Sequence, residues 1–344
     1  MNKNIVDLNR NHLVSVDLSR MDLSREDLSN KDMRYAILHG ANLVHANLSH
    51  VDLKDADLTK ANLVHTNLSD AHLTNADLTE ANLTGANLVF VDLYYANLSH
   101  AYLEDVDLTN AILVHANLSH ANLSYADLTG ANLAGANLYK ANLTNTYLQG
   151  ADLREANLTK ADLTKTNLTG ANLTDAYLEG TNLTNANLTN ANLSHAHLEG
   201  ANLTNAYLKD INLTSADLSR VKLIGVDLTN VNLQHANLYN VNLRNAHLKD
   251  ADLTKANLTI ADLEGANLVH ANLSGAILEG AYLERANLER ANLKGANLKG
   301  ANLVHANLSY ANLEDADLTK AYLEHAVLTG TILEKNKKNS KVVK

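Results

Sequence analysis

The hydrophobic pattern of this 344-residue chain has a period of five. From Val6 to Lys335 it divides into sixty-six consecutive pentads, each centred on leucine except at Met33, without an insertion or deletion. With the central residue written as position i, position i−2 is alanine in most pentads. It is valine (Val51, Val91, Val106, Val221), threonine (Thr66, Thr146, Thr181) or isoleucine (Ile211) in others. Position i−1 is mostly asparagine or aspartate, i+1 is serine, threonine or a charged residue, and i+2 varies most. A period of five fits neither the 3.6-residue helix nor the two-residue strand and calls for a repeat architecture. On an extended backbone successive side chains alternate, so i−2 and i point to one side and i−1 to the other. All fifteen glycines stand at i+2, where Asn, Asp and His are also frequent. These residues tolerate the positive φ that the third residue of a type II turn requires. Each pentad therefore reads as a three-residue extended piece followed by a tight corner.

Corners that all turn the same way keep every leucine inside, so the chain coils. Three, four or five sides would each satisfy that condition. With four, a coil holds twenty residues, and the repeat makes about sixteen coils in a rod of about 80 Å at roughly 4.8 Å between strands. The organisation expected is a short lead-in (1–5), one uninterrupted all-β solenoid (6–335) and a basic, disordered tail (336–344). Residues 6–35 form irregular capping coils, since Asn11, Glu26 and Lys31 stand where alanine belongs and Met33 replaces leucine. A polar, irregular end discourages a second rod from stacking on the open edge.

The string A-[ND]-L-x-x, as in Ala41-Asn42-Leu43-Val44-His45 and Ala161-Asp162-Leu163-Thr164-Lys165, resembles the pentapeptide-repeat family over residues 6–335. The resemblance implies a right-handed quadrilateral parallel β-helix and supplies the four-sided count. It also implies a non-catalytic binding or structural protein. Some members mimic duplex DNA and bind DNA gyrase or topoisomerase IV, and those that protect topoisomerases tend to carry protruding loops, which this uninterrupted repeat lacks. Many members close their C-terminus with a dimerising helix. Here Glu334–Lys344 has almost no apolar face, which argues against that mode of dimerisation.

Composition narrows the chemistry. There is no cysteine, proline or tryptophan, and Phe90 is the only phenylalanine. Disulfides and thiolate metal sites are thereby excluded. No apolar run reaches the length of a signal-peptide core, so a cytoplasmic protein without membrane insertion is expected. Of the sixteen histidines, eleven lie at the corner position, and the pairs His45/His65, His100/His120 and His305/His325 fall twenty residues apart. Such pairs should stack at about 5 Å, but two histidines without a third ligand make a poor zinc site. No nucleophile elbow, phosphate-cradling loop or metalloprotease motif occurs. The expectation is no enzyme activity, no cofactor and no metal.

Two groups of residues remain as candidate partner-binding positions. Phe90, Tyr94 and Tyr95 form the densest aromatic group, and exposed aromatics are favoured interface anchors. Glu104, Asp105 and Asp107 form an acidic cluster, repeated at Glu314, Asp315 and Asp317. Five lysines in the last ten residues leave the repeat with 38 acids against 23 of the 28 bases, a net charge of −15. A duplex 80 Å long carries about 47 phosphate charges at one per 1.7 Å, so DNA mimicry would be dilute. The reading is a rod that binds an unknown protein partner or acts as a scaffold, with no direct contact to nucleic acid. The alternative is a DNA-mimic regulator of a type II topoisomerase.

Overall fold

The computed structural model describes residues 11–334 and divides into two compact units, Met1–Asn172 and Leu173–Lys344. The basic tail and the lead-in lie outside the described residues. In both units every pentad has the same local form. In Ala41–His45, the amide of the next alanine, Ala46, donates to the Leu43 carbonyl at 2.9 Å, and His45 between them has φ of 59°. This i→i+3 bond with a positive φ at the third residue is the turn expected from the corner position. Along the described repeat the i+2 residue takes φ from 50° at Ile260 to 76° at Gly330. Histidine, lysine, tyrosine and even β-branched isoleucine adopt it here, so the corner does not require glycine.

The pairing register fixes the number of sides. In unit 1, residue i−1 of each pentad pairs in parallel with the residue twenty further on, from His12 with Asp32 to Asp152 with Asn172. In unit 2 the same register runs from Tyr177 with His197 to Asn307 with Val327. Four pentads thus complete a coil, and four columns of parallel rungs run along each unit. Each rung is closed by backbone bonds such as Leu43 N–H to the Asn62 carbonyl (2.7 Å) and Asn62 N–H to the Ala41 carbonyl (2.9 Å).

The interior is filled by the i and i−2 side chains. Leucines from Leu18 to Leu308 are almost wholly buried, and Met33 is fully buried in leucine's place. Where threonine replaces alanine its hydroxyl finds a main-chain acceptor: Thr66 donates to the Leu43 carbonyl at 2.8 Å and Thr166 to that of Leu143 at 2.6 Å. That bond removes the cost of burying an unpaired hydroxyl. At the N-terminal end the backbone ladder is regular from Asn11 onward. What departs is side-chain burial: Asn11 and Glu26 are exposed and Lys31 is half-buried. At the other end, Ile332–Glu334 begin a helical turn.

Outside the coil, the asparagines of position i−1 form ladders. In one column Asn87 Nδ2 donates to Asn67 Oδ1 (3.2 Å), Asn67 to Asn47 (3.1 Å) and Asn47 to Asp27 (3.0 Å). In another, Asn312 donates to Asn292, Asn292 to Asn272 and Asn272 to Asp252. The donor always stands one coil after its acceptor. The same Oδ1 accepts the backbone N–H two residues on, as Asn67 does from Ser69 at 3.2 Å, which braces the corner as an Asx turn.

One junction in unit 2 breaks this order. Coil 221–240 carries valine at three of its four i−2 positions (Val221, Val226, Val231), with Ile211 below and Val241 above. Between it and coil 201–220, seven main-chain N–H groups do not reach the full hydrogen-bond geometry found elsewhere among the described residues, although Asn202 still pairs with Lys222 and Asn212 with Asn232. The donors concerned are the N–H groups of Leu203, Asn205, Leu208, Asp210, Lys222, Asp227 and Asn232. Of the four pairings at this junction, that of Tyr207 with Asp227 alone is lost. On the remaining side, where Ala236 lies over Ala216, the rungs persist: Leu218 N–H reaches the Asn237 carbonyl at 2.8 Å and Asn237 N–H that of Ala216 at 2.9 Å. Single valines elsewhere leave the ladder intact, as at Val91, where Asp92 N–H meets the Ala71 carbonyl at 2.9 Å. Three in one coil add six carbons to a cross-section that alanine fills elsewhere, and overpacking of that kind displaces backbone. Ala206 and Val226 are each 8% exposed, and a cavity of about 400 Å³ opens onto the inward residues Ala206 and Leu208.

Candidate interaction surface

The corner after Leu88 carries Phe90, 56% exposed, and the corner after Leu93 carries Tyr94 and Tyr95. One side of the square, Val91–Leu93, separates them. The structure therefore does not join all three rings: Tyr94 and Tyr95 pack edge to face at 4.4 Å, and among the described residues no ring meets Phe90. The next coil completes the group. His115 stacks on Tyr95 at 5.1 Å, Ile112 pairs above Asp92 and is 43% exposed, and Val114 lies over Tyr94. The result is an apolar patch along one side of unit 1, with Tyr94, Tyr95, Val114 and His115 at one corner, Ile112 on the side and Phe90 at the far corner. Ile112, Val114 and His115 escape a reading confined to adjacent residues, yet twenty-residue addition brings them there.

The one charge within the patch is engaged. Asp92 accepts the Tyr94 N–H at 3.0 Å and the Thr74 hydroxyl at 3.0 Å. A hydrogen bond between the Tyr94 and Tyr95 side chains, with lesser burial, raises the Tyr94 phenol above its ordinary value. The patch thus offers rings held in place by one another, on a backbone whose rungs hold them at fixed spacing.

The acidic cluster is split. Glu104 and Asp105 share an exposed corner, while Asp107 lies on the next side and accepts the Thr109 N–H at 3.0 Å. Coil neighbours twenty residues away are Thr84 and Ser124 for Glu104, and Gly85 and Tyr125 for Asp105. Only Asp107 continues an acidic column, to Asp127. In the second cluster Glu314 is paired with Lys294 at 3.0 Å, and the hydroxyl and amide of Thr319 hold Asp317 below the usual carboxylate range. Elsewhere acids meet bases across coils or along the chain, as Lys60 meets Glu80, Arg154 meets Asp152, and Arg244 bridges Asp262 and Glu264.

The histidine pairs stack as their spacing predicts: His45 on His65 at 5.3 Å, His100 on His120 at 4.8 Å, His305 on His325 at 4.9 Å. Among the described residues no three His, Asp or Glu side chains are placed to hold a metal ion, and no helix is long and apolar enough to cross a membrane.

A family model described as "Pentapeptide repeats" matches in overlapping or abutting stretches that together run from residue 12 to residue 334. No match to a curated protein was found. Among solved structures, HetL, a pentapeptide repeat protein involved in heterocyst differentiation regulation from the cyanobacterium Nostoc sp. strain PCC 7120, is 37% identical. The alignment covers 68% of this chain and 89% of HetL, with a TM-score of 0.31. A pentapeptide repeat protein of the Arabidopsis thaliana thylakoid lumen is 30% identical over 32% of this chain and 70% of its own, with a TM-score of 0.23. A trypsin-treated variant of QnrB1, a plasmid-mediated fluoroquinolone resistance protein, is 20% identical over 54% of this chain and 95% of its own, with a TM-score of 0.27.

Proposed function

The chain belongs to the pentapeptide-repeat family, and from that premise we propose that it is a non-catalytic protein-binding scaffold. Its coil is right-handed, the sense taken by nearly all connections between parallel strands. It works in the cytoplasm and needs no cofactor. The observation that carries this reading is the patch of Phe90, Tyr94, Tyr95, Ile112, Val114 and His115. Rings and branched aliphatic side chains exposed together on a rigid face are what a protein partner desolvates. The acids favour the alternative less, because many are engaged by Lys, Arg or backbone N–H groups and none of the four columns is uniformly acidic.

The test sets the two readings against each other. Immobilised protein is used to capture partners from lysate at low and high salt, in parallel with a DNA gyrase supercoiling assay. The variants are F90N/Y94T/Y95N, which installs residues common at those positions, and E104Q/D105N/D107N. The scaffold reading expects a partner lost with the first variant and indifferent to the second and to salt. Gyrase inhibition or protection that weakens with salt and with the second variant would overturn it in favour of the DNA mimic.

A further inference from the structure

On a side of unit 2 remote in sequence from that patch, three successive i−1 residues are Tyr282, Asn302 and Tyr322, paired in parallel one above another. The two tyrosines are 54% and 57% exposed, whereas Asn302 between them is half-buried. Together with Ile260, Gly280, Gly300 and Val304 they line a concavity of about 540 Å³.

The spacing of rings at this position is measured elsewhere in the same unit. Tyr177 and His197, one coil apart, stack with centroids at 5.0 Å and planes within 5°. Carried to Tyr282 and Tyr322, two coils apart, the same ring direction would place the two rings face to face at twice that 5.0 Å separation. The asparagine between them is too short to fill the space beyond its own amide. A flat ring entering there lies about 5 Å from each tyrosine, within the range in which aromatic pairs attract.

Asn302 adds a polar handle. In the ladders each asparagine spends its amide on the residue one coil below, but below Asn302 stands Tyr282, which has no carbonyl side chain. Asn302 Oδ1 accepts the Val304 N–H at 3.1 Å, and among the described residues its Nδ2 has no partner. The rim is low for a related reason. At Gly300 (φ 67°) an added Cβ would meet nothing within 4 Å, and at Gly280 (φ 65°) only Ile260 Cγ2 at 3.4 Å. Since bulky residues adopt the same φ at this position throughout the chain, what glycine contributes here is an open approach.

We infer that Tyr282, Asn302 and Tyr322 form a clamp for one aromatic side chain of a peptide, its ring between the two tyrosines and a neighbouring peptide carbonyl accepting from Asn302 Nδ2. The choice of a peptide as bearer of the ring rests on the protein-binding reading above. The site itself is independent of the patch at Phe90, and its test uses neither those residues nor any cellular partner.

The chain has no tryptophan, so the indole of N-acetyl-tryptophanamide can be excited selectively and its anisotropy followed as the full-length protein is titrated in. Saturable binding is expected, weakened at least tenfold in Tyr282→Asn. It should be abolished in Asn302→Tyr, which fills the clamp with the chain's own ring, and unchanged in Tyr207→Asn, an exposed tyrosine outside the clamp. Free indole, which lacks the carbonyl, should bind more weakly, and Asn302→Asp should remove that difference. Asparagine and tyrosine both occur at this position in many coils, so the variants should fold, which circular dichroism verifies. No saturable signal at millimolar protein, or equal binding by wild type, Tyr282→Asn and Asn302→Tyr, would overturn the clamp and leave the scaffold reading standing. Loss of the lysate partner with F90N/Y94T/Y95N would in turn leave probe binding untouched.

Discussion

If the opened junction in unit 2 is caused by overfilling, replacing Val221, Val226 and Val231 together by alanine should close it. The substitution removes six buried carbons, about 5 kcal/mol of burial at ~0.8 kcal/mol each. The backbone bonds it restores or shortens return at most about 0.5–1.5 kcal/mol each. The two effects are of similar size and opposite sign, so a melting temperature is a poor reporter. Hydrogen exchange is a direct one. In the wild type the N–H groups of Leu208 and Asp227 lack main-chain acceptors and should exchange quickly, whereas Leu218 and Asn237, on the closed side of the same coils, should be protected. Every 1.4 kcal/mol added to local opening slows exchange about tenfold. Rungs that close together in the triple variant should therefore slow these amides on the order of 100-fold. Val91→Ala, at a lone valine with intact rungs, should change nothing. Fast exchange at Leu208 and Asp227 that persists in a folded triple variant would refute overfilling as the cause.

The same junction shows what could be read from the sequence and what could not. Period, inward residues and corner position all follow from the identity of residues within one pentad, and each is found in the structure at Ala41–Ala46 and its equivalents. The number of sides does not follow, because three, four or five corners bury leucine equally well. It depends on how closely four leucines and four alanines fill a square, and came from family resemblance before the twenty-residue register displayed it. The apolar patch was half legible: Phe90, Tyr94 and Tyr95 are neighbours in sequence, while Ile112, Val114 and His115 join them only through that register. The open seam was hidden for a different reason. Valine at i−2 is harmless singly, as at Val91, and disruptive to the ladder only when three share a coil, so its effect belongs to a cross-section and not to a pentad.

Two further predictions rest on the polar shell. Asp17, Asp22 and Asp27 are each held below the ordinary carboxylate value of 3.8, first by the hydroxyl and then by the amide of the serine two residues on. A lowered folded-state value stabilises the fold above that ordinary value, and the contribution fades as pH falls through the folded value. Acid unfolding followed by circular dichroism should therefore shift to lower pH in Asp22→Asn, since asparagine keeps the acceptor for Ser24 and has no charge to lose. The last prediction concerns direction. Each ladder asparagine donates to the coil before it and accepts from the coil after, and Asp27 and Asp252 stand where only acceptance is needed. Asn67→Asp keeps the acceptor used by Asn87 and Ser69 but deletes the donation to Asn47 and sets a carboxylate against that carbonyl oxygen. It should cost about 1–2 kcal/mol in urea unfolding. Asp27→Asn, at the base of the same column, keeps the acceptor used by Asn47 and Ser29, loses only the charge, and should cost less. Equal losses at the two positions would show that the ladders carry no polarity, and that the aspartates stand at their bases by accident of sequence.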